Sequence, residues 1–260
     1  MALTVTNLSY AYDSSPVLKD VSFTAPEGAL TVILGRNGCG KSTLLKVIAG
    51  INTIQGGSVK VAGQDIASLS GGSRAGLIGY LPQFHQTVFP FAVEDVVLTG
   101  RAAYVFSTPS VRDREMSQLA MHTVGIEALA KRPYTDLSGG ERQLVMISRV
   151  LAQAPKVILL DEPAAHLDLA NQQRLLGILR QITAGGVTVV AVLHDPNMAF
   201  LNADQVIFLK QGQVAAPPAG SQPWDAGFIR DIYGIATTAL PYRNKAFIVP
   251  FNDEGGKRAV

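Results

Sequence analysis

Gly35-Arg36-Asn37-Gly38-Cys39-Gly40-Lys41-Ser42 matches G-x-x-x-x-G-K-[ST], the pattern of a glycine-rich loop that binds phosphate. The compact apolar segment Leu30–Leu34 precedes the loop, and apolar residues at helical spacing follow it from Lys41 to Ala49. Strand, loop and helix therefore occur in the order that this pattern requires. The sequence predicts an α/β fold with a phosphate site centred on Lys41.

The residue types of this loop suit the phosphate chain of a nucleotide. Its glycines let consecutive backbone N–H groups point at phosphate oxygens, and the following helix adds the positive end of its dipole. We expect Lys41 to reach the β- and γ-phosphates and the hydroxyl of Ser42 to ligate Mg²⁺, with Thr43 in the same binding stretch. Cys39 is expected to be a small spacer, because no base stands beside it in the sequence.

A second motif joins an apolar strand, Val157–Leu160, to the acidic pair Asp161 and Glu162. Two acids at the end of a buried strand need a reason, because unpaired buried charges are costly. A functional interpretation places Asp161 near Mg²⁺, through water, and makes Glu162 the general base that polarises an attacking water. The alternative is that both acids merely begin a turn before Pro163. The presence of the phosphate loop favours the functional interpretation.

The remaining sequence alternates strand and helix patterns. The chain through about Ile33 is interpreted as short alternating strands broken at Asp13–Pro16, and residues 91–154 as mostly helical. Further elements are predicted as strands at Val157–Leu160, Val187–Leu193 and Val206–Leu209, a helix around Gln172–Ile182, a short helix near Phe228–Tyr233 and a final strand pair ending around Val249. This order indicates a largely parallel sheet covered on both faces. We expect one domain over 1–260: a core of about 1–90 and 155–250, a helical subdomain of about 91–154, and a loose tail of 251–260.

Composition narrows the class of protein. Of the 260 residues, 47% are hydrophobic and 16% charged, which is typical of a globular protein and not of a disordered one. No apolar run reaches the roughly 18–20 residues that span a bilayer, and Met1–Val5 does not resemble a secretory signal. The single cysteine excludes an internal disulfide. With a net charge of +2 and scattered basic residues, we expect no nucleic-acid partner.

Leu137–Gln143, with the sequence Leu-Ser-Gly-Gly-Glu-Arg-Gln, resembles the signature motif of the ABC ATPases and lies just ahead of the acidic strand, as in that family. The resemblance implies that Ser138, Gly139 and Gly140 bind nucleotide. A structural interpretation is also partly valid. Ser138 and Glu141 form a capping-box pattern that would start a helix under any function.

Other elements of that family follow in order. Tyr12 resembles the aromatic residue that stacks on adenine, with Tyr10 as the competing candidate. Gln83 resembles the glutamine that contacts Mg²⁺ and links the core to the helical subdomain. Ala165–Asp168 stands at the position of the D-loop. His194, at a strand end, resembles the switch histidine that contacts the γ-phosphate, although an isolated histidine there is more often structural.

A second Leu-Ser-Gly-Gly run and three departures from the family pattern also bear on the interpretation. Leu69–Arg74 is interpreted as a flexible surface turn, because the strand-like run Leu77–Leu81 follows it instead of an amphipathic helix. Arg36 stands where proline is commoner and Ala164 where threonine or serine is commoner, and neither position supplies a required group. Pro196 is expected to reshape the helix start after His194.

The resemblance implies a P-loop NTPase core of the ABC ATPase type, with an N-terminal antiparallel β subdomain and an inserted helical subdomain. It further implies ATP and Mg²⁺ as cofactors and a head-to-tail dimer with ATP between Lys41 of one copy and Ser138 of the other. Because no spanning segment is evident, integral permease subunits are expected as separate chains, with a substrate-binding protein as an indirect partner. The expected location is peripheral, on the cytoplasmic face of the inner membrane.

The segment Phe84–Arg101 resembles the ATPases that import ferric siderophores, haem and cobalamin, and a related branch handles molybdate or tungstate. Ala165–Leu169, Ile232–Gly234 and Ile248–Pro250 resemble the same group. An exporter ATPase remains an alternative. Translation ABC proteins normally carry two ATPase units, chromosome-maintenance ATPases carry a long coiled coil, and other P-loop enzymes do not need Leu137–Gln143.

Overall fold

The computed structural model describes residues 1–83, 90–165 and 167–251. Within these residues the strands are β1 (Leu3–Tyr12), β2 (Ser15–Ala25), β3 (Leu30–Leu34), β4 (Gly56–Val61), β5 (Gln64–Asp65), β6 (Ile78–Leu81), β7 (Val157–Asp161), β8 (Thr188–Val192), β9 (Gln205–Lys210), β10 (Gln213–Ala215), β11 (Thr237–Tyr242) and β12 (Lys245–Pro250). The helices there are α1 (Lys41–Ile48), α2 (Gly71–Ala75), α3 (Val93–Leu98), α4 (Val111–Val124), α5 (Gly139–Ala152), α6 (Leu169–Ala184), α7 (Pro196–Asn202) and α8 (Ala226–Tyr233). The predicted α/β fold class is confirmed.

A mostly parallel sheet forms the centre of the molecule, with the strand order β10-β9-β3-β8-β7-β6. Neighbouring strands from β9 to β6 pair in parallel, and β10 pairs antiparallel with β9. Every residue of β3, β7 and β8 is buried. This explains why these strands have continuous apolar sequences, since a parallel sheet covered on both faces exposes neither set of alternating side chains.

The two faces of this sheet bury separate cores. On β3, Leu30, Val32 and Leu34 pack with α5 and α6, whereas Ile33 packs with α1 and the N-terminal strands. This division follows from the alternation of side chains along a strand. Helix α1, which begins at Lys41, is therefore held between the central sheet and the N-terminal strands.

The N-terminal strands form an antiparallel sheet in the order β2-β1-β4-β5. The prediction of short strands was wrong, because β1 and β2 are long and are joined by a tight turn at Asp13 and Ser14. Register shifts interrupt their pairing between Val5 and Leu8, where Asn7 has a φ of 50°. Such irregularities break the alternation of apolar and polar residues, which explains why one long strand resembled several short ones.

Helices α3, α4 and α5 lie in the chain between β6 and β7, as the predicted helical insertion requires. Arg101 and Asp113 form an ion pair of 3.0 Å in this region, and both side chains are buried. Gly100 brings the turn after α3 against α5, since a Cβ on Gly100 would lie 2.0 Å from the carbonyl oxygen of Arg149.

The prediction that Leu69–Arg74 is a flexible turn was wrong. Residues Gly71–Ala75 form the short, exposed helix α2, and the Ser70 hydroxyl caps it by accepting from the backbone N–H of Ser73 at 3.2 Å. The capping serine explains why a run with two glycines still starts a helix. The strand predicted after it is present as β6.

The C-terminal part packs against the edge of the core near α7. Strands β11 and β12 pair as an antiparallel hairpin, and β12 contacts α7. Across the three described ranges, no helix has the length and apolar character needed to cross a membrane. The predictions that involve Phe84–Phe89, His166 and residues 252–260 lie outside the described residues.

Candidate active site

The carboxyl ends of four neighbouring parallel strands bring the predicted site residues together. The glycine loop follows β3, His194 follows β8, Glu162 follows β7 and Gln83 follows β6. In an open parallel sheet this edge is the usual place for a ligand. The cleft there has a volume of about 500 Å³ and is lined by Val17, Asn37, Gly38, Gly40, Lys41, Ser42, Thr43, Gln83, Glu162 and His194.

The glycine loop has the backbone geometry that its sequence predicts. Gly35, Gly38 and Gly40 have φ values of 150°, 77° and 108°, which L side chains rarely adopt. At Gly35 a Cβ would also lie 2.2 Å from the carbonyl oxygen of Leu209. The ammonium of Lys41 donates to the carbonyl oxygens of Gly35 and Arg36 at 2.8 and 3.0 Å, so the lysine side chain lies against its own loop.

Ser42 and Asp161 form the second part of the site. The Ser42 hydroxyl donates to Oδ1 of Asp161 at 3.0 Å and so joins the start of α1 to the end of β7. Burial raises the pKa of Asp161, and the neighbouring Glu162 charge raises it further against the hydrogen bond from Ser42. The phenol of Tyr80 lies close by on β6, and burial together with Asp161 raises its pKa.

The oxygens of Ser42, Asp161 and Gln83 suit Mg²⁺, which prefers hard oxygen ligands. Within the described ranges, no group of three or more His, Cys, Asp and Glu side chains is placed to hold a metal ion.

Glu162 has a close polar partner at each carboxylate oxygen. Oε2 accepts from the side-chain amide of Gln83 at 2.5 Å, and Oε1 lies 2.6 Å from Nε2 of His194. The Glu162 side chain is only 10% exposed. Its backbone has a φ of 53°, an unfavourable value for a residue other than glycine. Backbone strain of this kind concentrates at functional sites, and the sequence gives no sign of it.

Some predicted binding residues lie at the margin of the cleft or behind it. Arg36 contributes its carbonyl oxygen to Lys41, as described above. Cys39 is half-buried and packs against the core that contains α1, and burial raises the pKa of its thiol. A buried thiol of raised pKa is a poor nucleophile, which agrees with a spacer role.

Among the described residues, Tyr12 is not part of the cleft lining. Its ring packs edge-on against Tyr10 at 5.0 Å, and its hydroxyl accepts from the side-chain amide of Asn52 at 3.0 Å. Tyr12, at the end of β1, is 44% exposed as a residue, so it offers an accessible aromatic side chain outside the cleft.

Ser138 begins helix α5 through the predicted capping box. Its hydroxyl accepts from the backbone N–H of Glu141 at 3.3 Å, and the Glu141 carboxylate accepts from the N–H of Ser138 at 2.8 Å. Gly140 lies against α6, because a Cβ there would be 2.8 Å from the side chain of Asn171. Ser138, Gly139 and Gly140 are not among the described residues that line the Lys41 cleft of the same chain.

Sequence reasoning missed Val17 as a residue of the cleft. Val17 belongs to β2, and its carbonyl oxygen lies 3.2 Å from the position of a Cβ on Gly40. The same carbonyl oxygen lies 2.1 Å from the position of a Cβ on Gly212, so the β2 backbone packs closely against both glycines. No local motif marks Val17, because pairing of the N-terminal sheet brings it to the phosphate loop.

The chain matches known proteins over most of its length. Residues 18–165 match the family model described as ABC transporter. The hemin import ATP-binding protein HmuV of Thermobifida fusca is 40% identical over 227 residues, which cover 87% of this chain and 80% of that protein.

Two solved structures resemble the fold. A chain from an inward-facing, metal-chelate type ABC transporter is 31% identical with a TM-score of 0.82, covering 96% of this chain and 97% of that chain. The dimeric bacterial ABC transporter cassette MJ0796 is 27% identical with a TM-score of 0.71, covering 82% and 97%. The family match covers more than half of the chain and includes the phosphate loop, the Leu137–Gln143 motif and the acidic strand. The chain therefore belongs to the ABC transporter family, as one of its nucleotide-binding ATPase subunits.

Proposed function

We propose that the chain hydrolyses ATP to drive an importer for a metal chelate such as haem, a ferric siderophore or cobalamin. The observation that carries the ATPase part is the meeting of Lys41, Glu162 and His194 in one cleft. The import part rests on similarity to the hemin import protein of T. fusca and to the metal-chelate type transporter. Molybdate or tungstate import and export are the alternatives.

In the binding step, the glycine loop holds the phosphate chain of ATP. The positive-φ glycines aim backbone N–H groups into the cleft, and the N-terminus of α1 adds its dipole. Lys41 exchanges its bonds to the carbonyl oxygens of Gly35 and Arg36 for bonds to the β- and γ-phosphates. Tyr12, with Tyr10 behind it, supplies an aromatic surface for adenine at the end of β1.

In the hydrolysis step, Glu162 accepts a proton from the attacking water. The water oxygen bonds to the γ-phosphorus, the bond from that phosphorus to the bridging oxygen breaks, and ADP and phosphate leave. Each carboxylate oxygen has one partner and can accept a further hydrogen bond, so the water donates to Glu162 beside Gln83 or His194. His194 then contacts the γ-phosphate as it lets go of Glu162.

Ser42, Asp161 and Gln83 are the residues that would hold Mg²⁺. When bound, the ion neutralises charge that develops on the phosphate oxygens. The Ser42 hydroxyl, now donating to Asp161, would turn a lone pair toward the cation while Asp161 acts through water. The side-chain amide of Gln83 donates a hydrogen bond to Glu162, so Gln83 would contact both the proposed base and the ion.

The active form is a head-to-tail dimer in which each ATP lies between Lys41 of one copy and Ser138 of the other. Separation of Ser138–Gly140 from the Lys41 cleft within one described chain supports this arrangement. The N-terminus of α5 offers backbone donors at Gly139 and Gly140 for a γ-phosphate supplied by the second copy. The similar cassette MJ0796 is dimeric.

The membrane partner is a separate permease, and the chain lies on its cytoplasmic side with a substrate-binding protein as an indirect partner. A groove of about 480 Å³ between the end of α1, α2 and α5 offers a docking place beside β6, the strand that leads to Gln83. The proposed division of the chain is a core of about 1–90 and 155–250 and a helical subdomain of about 91–154. Residues of both parts line the groove. Closure of the dimer would then move the subdomain and the permease together.

The test is ATP-dependent uptake in proteoliposomes that contain the chain with its co-purifying permease. Haem, a ferric siderophore, cobalamin and molybdate are offered in turn, each with its binding protein. We expect uptake of one metal chelate, and loss of both uptake and ATP hydrolysis on Lys41→Ala. The control Lys131→Ala changes an exposed lysine whose partner is Glu94, and it is expected to keep both activities.

Uptake of molybdate alone would replace the metal-chelate proposal by its first alternative. ATP hydrolysis without uptake of any cargo, together with ATP-dependent release of a preloaded cargo, would favour export. Absence of ATP hydrolysis by a folded chain with its permease would contradict the assignment of the cleft.

A further inference from the structure

We propose that Asn197 is a positioning residue for His194, and that the C-terminal hairpin β11–β12 is the fixed element against which it works. This inference rests on the proposed role of His194 in ATP hydrolysis. It adds a function for the C-terminal hairpin, which has no residue among the described lining of the cleft.

Asn197 binds β12 through both ends of its side-chain amide. Oδ1 accepts from the backbone N–H of Ile248 at 2.6 Å, and Nδ2 donates to the carbonyl oxygen of the same residue at 3.1 Å. The amide therefore pairs with β12 as the backbone of a neighbouring strand would. A double hydrogen bond to one residue fixes distance and orientation together, which a single bond does not.

Asn197 is also joined to the residue that follows His194. The Asp195 side chain accepts from the backbone N–H of Asn197 at 2.8 Å and caps α7. On the other side of His194, the N–H of Leu193 donates to the carbonyl oxygen of Ile33 at 3.3 Å. The backbone of His194 is thus held between the central sheet and the first turn of α7.

Helix α7 depends on such outside contacts for its position. It has seven residues, and helices this short are not stable alone. Besides Asn197, the hairpin holds the far end of α7, where Lys245 Nζ donates to the carbonyl oxygen of Leu201 at 3.3 Å. The inward-facing residues Ala246 and Ile248 are buried, so the hairpin is itself anchored.

In the described part of the chain, the His194 imidazole has Glu162 as its partner. Its side chain is 46% exposed, and its Nε2 lies 2.6 Å from Glu162. Ala199 and Phe200 are buried in the core and hold the middle of α7, so the shift that moves the imidazole away from Glu162 is a small movement of the helix start ahead of them. Misplacement of a reacting group by about 1 Å can cost about 100-fold in rate. The amide of Asn197 opposes this shift at the start of the helix by tying it to β12.

The test compares ATP hydrolysis by the full chain and its variants at saturating Mg-ATP. We expect Asn197→Ala to lower kcat by about ten-fold or more while the KM for ATP stays unchanged, because the phosphate loop is untouched. The matched control is Asn202→Ala. Asn202 lies on the same helix, and its side chain bonds to Met198 and Arg180 instead of the hairpin. We expect this variant to keep its kcat.

A double-mutant cycle separates positioning from general weakening of the fold. If Asn197 acts through His194, then Asn197→Ala has no further effect on the residual kcat of His194→Ala. An equal fractional loss of kcat in both backgrounds would overturn the inference and leave the role of His194 standing. An unchanged kcat in His194→Ala alone would overturn the proposed role of His194 and this inference with it.

A second variant of Asn197 distinguishes a loss of positioning from a loss of folding. Asn197→Asp keeps the oxygen that accepts from Ile248 and loses the donor to its carbonyl oxygen. We expect a kcat between those of the wild type and Asn197→Ala. A thermal melt of each variant checks that it is folded, and an Asn197→Asp variant with wild-type kcat and only a lower melting temperature would contradict a positioning role.

Discussion

Nε2 of His194 lies 2.6 Å from Oε1 of Glu162, while Gln83 holds the other oxygen of the same carboxylate. The carboxylate is thus fixed between the ends of β6 and β8, with its own backbone at the end of β7 in a left-handed conformation. A general base must present one oxygen at a defined place. For Glu162, the proposed base, three strand ends fix this position, so movement of Gln83 or His194 would displace the carboxylate.

Replacing Glu162 with Gln is expected to lower kcat for ATP hydrolysis by about 100-fold or more, because general-base catalysis contributes about 10²–10⁴-fold. The amide keeps the size of the side chain, so ATP binding is expected to persist and a nucleotide-bound dimer to accumulate. Single-turnover hydrolysis and size-exclusion chromatography with Mg-ATP measure the two effects. Glu115→Gln, a change at an exposed acid on α4, serves as the control. Rapid turnover by Glu162→Gln would contradict the assignment of the base.

The hydroxyl of Ser42 is expected to be needed for the effect of Mg²⁺ on nucleotide binding. Ser42→Ala removes the oxygen that now donates to Asp161 and leaves the backbone donors of the loop in place. We expect Mg²⁺ to raise the melting temperature of the wild type measured in the presence of ATP. It is expected to have little effect on the melting temperature of Ser42→Ala under the same conditions. EDTA is expected to reduce the wild type to the level of the variant.

Ser42→Thr is the matched control for this prediction, because threonine keeps the hydroxyl. Its Mg²⁺ response is expected to stay close to that of the wild type. An equal response of Ser42→Ala and the wild type to Mg²⁺ would show that the hydroxyl is not a ligand.

Local patterns in the sequence were sufficient to predict β3, α1 and β7, with the phosphate loop and the acidic pair that follow β3 and β7. Each of these elements has a continuous apolar run or a fixed motif, so few long-range contacts are needed to identify it. The bulged strand β1 was misjudged because its register shifts disturb the period-two pattern.

Other features depend on contacts between residues far apart in the chain. Val17 reaches the phosphate loop only when the N-terminal sheet has formed, and Asn197 finds Ile248 across 51 residues. The left-handed φ of Glu162 is imposed by its surroundings and leaves no trace in local residue preference. Local sequence patterns therefore could not predict these contacts or this backbone conformation.

The buried pair of Arg101 and Asp113 is expected to make stability depend on pH in acid. The hydroxyl of Ser110 and then the guanidinium of Arg101 lower the pKa of Asp113 from 3.8 to about 2. A lowered pKa means that the unfolded chain takes up a proton first as the pH falls. The stabilising contribution of Asp113 is therefore present above pH 3.8 and is lost as the pH falls toward 2.

Asp113→Asn removes this contribution, so its free energy of unfolding is expected to lie below that of the wild type near neutral pH and to approach it as the pH falls through 3.8 toward 2. Urea denaturation across that range measures the difference between the two proteins. Ser110→Ala, which removes the 2.7 Å hydrogen bond to Oδ2, is expected to give an intermediate result. A difference that stays constant over this pH range would contradict the lowered pKa of Asp113.

Gly100 and Gly177 are expected to respond to alanine in opposite ways. A Cβ on Gly100 would lie 2.0 Å from the carbonyl oxygen of Arg149, so α5 and the turn after α3 must separate to accept it. Overpacking of this kind costs about 1–3 kcal/mol in the free energy of unfolding. Gly177 lies on the exposed face of α6 with nothing within 4 Å of a Cβ, and Gly177→Ala is expected to stabilise by about 0.5–1 kcal/mol.

Chemical denaturation of both variants measures these changes, and ATP hydrolysis adds a second measurement for Gly100→Ala. The turn at Gly100 and residue Arg149 both line the groove proposed for the permease, so separation of α5 from that turn would alter the groove. We expect Gly100→Ala to keep ATP binding and to lose coupled uptake more strongly than hydrolysis, whereas Gly177→Ala keeps both. An equal stability change in the two variants would mean that the close approach at Gly100 relaxes without cost.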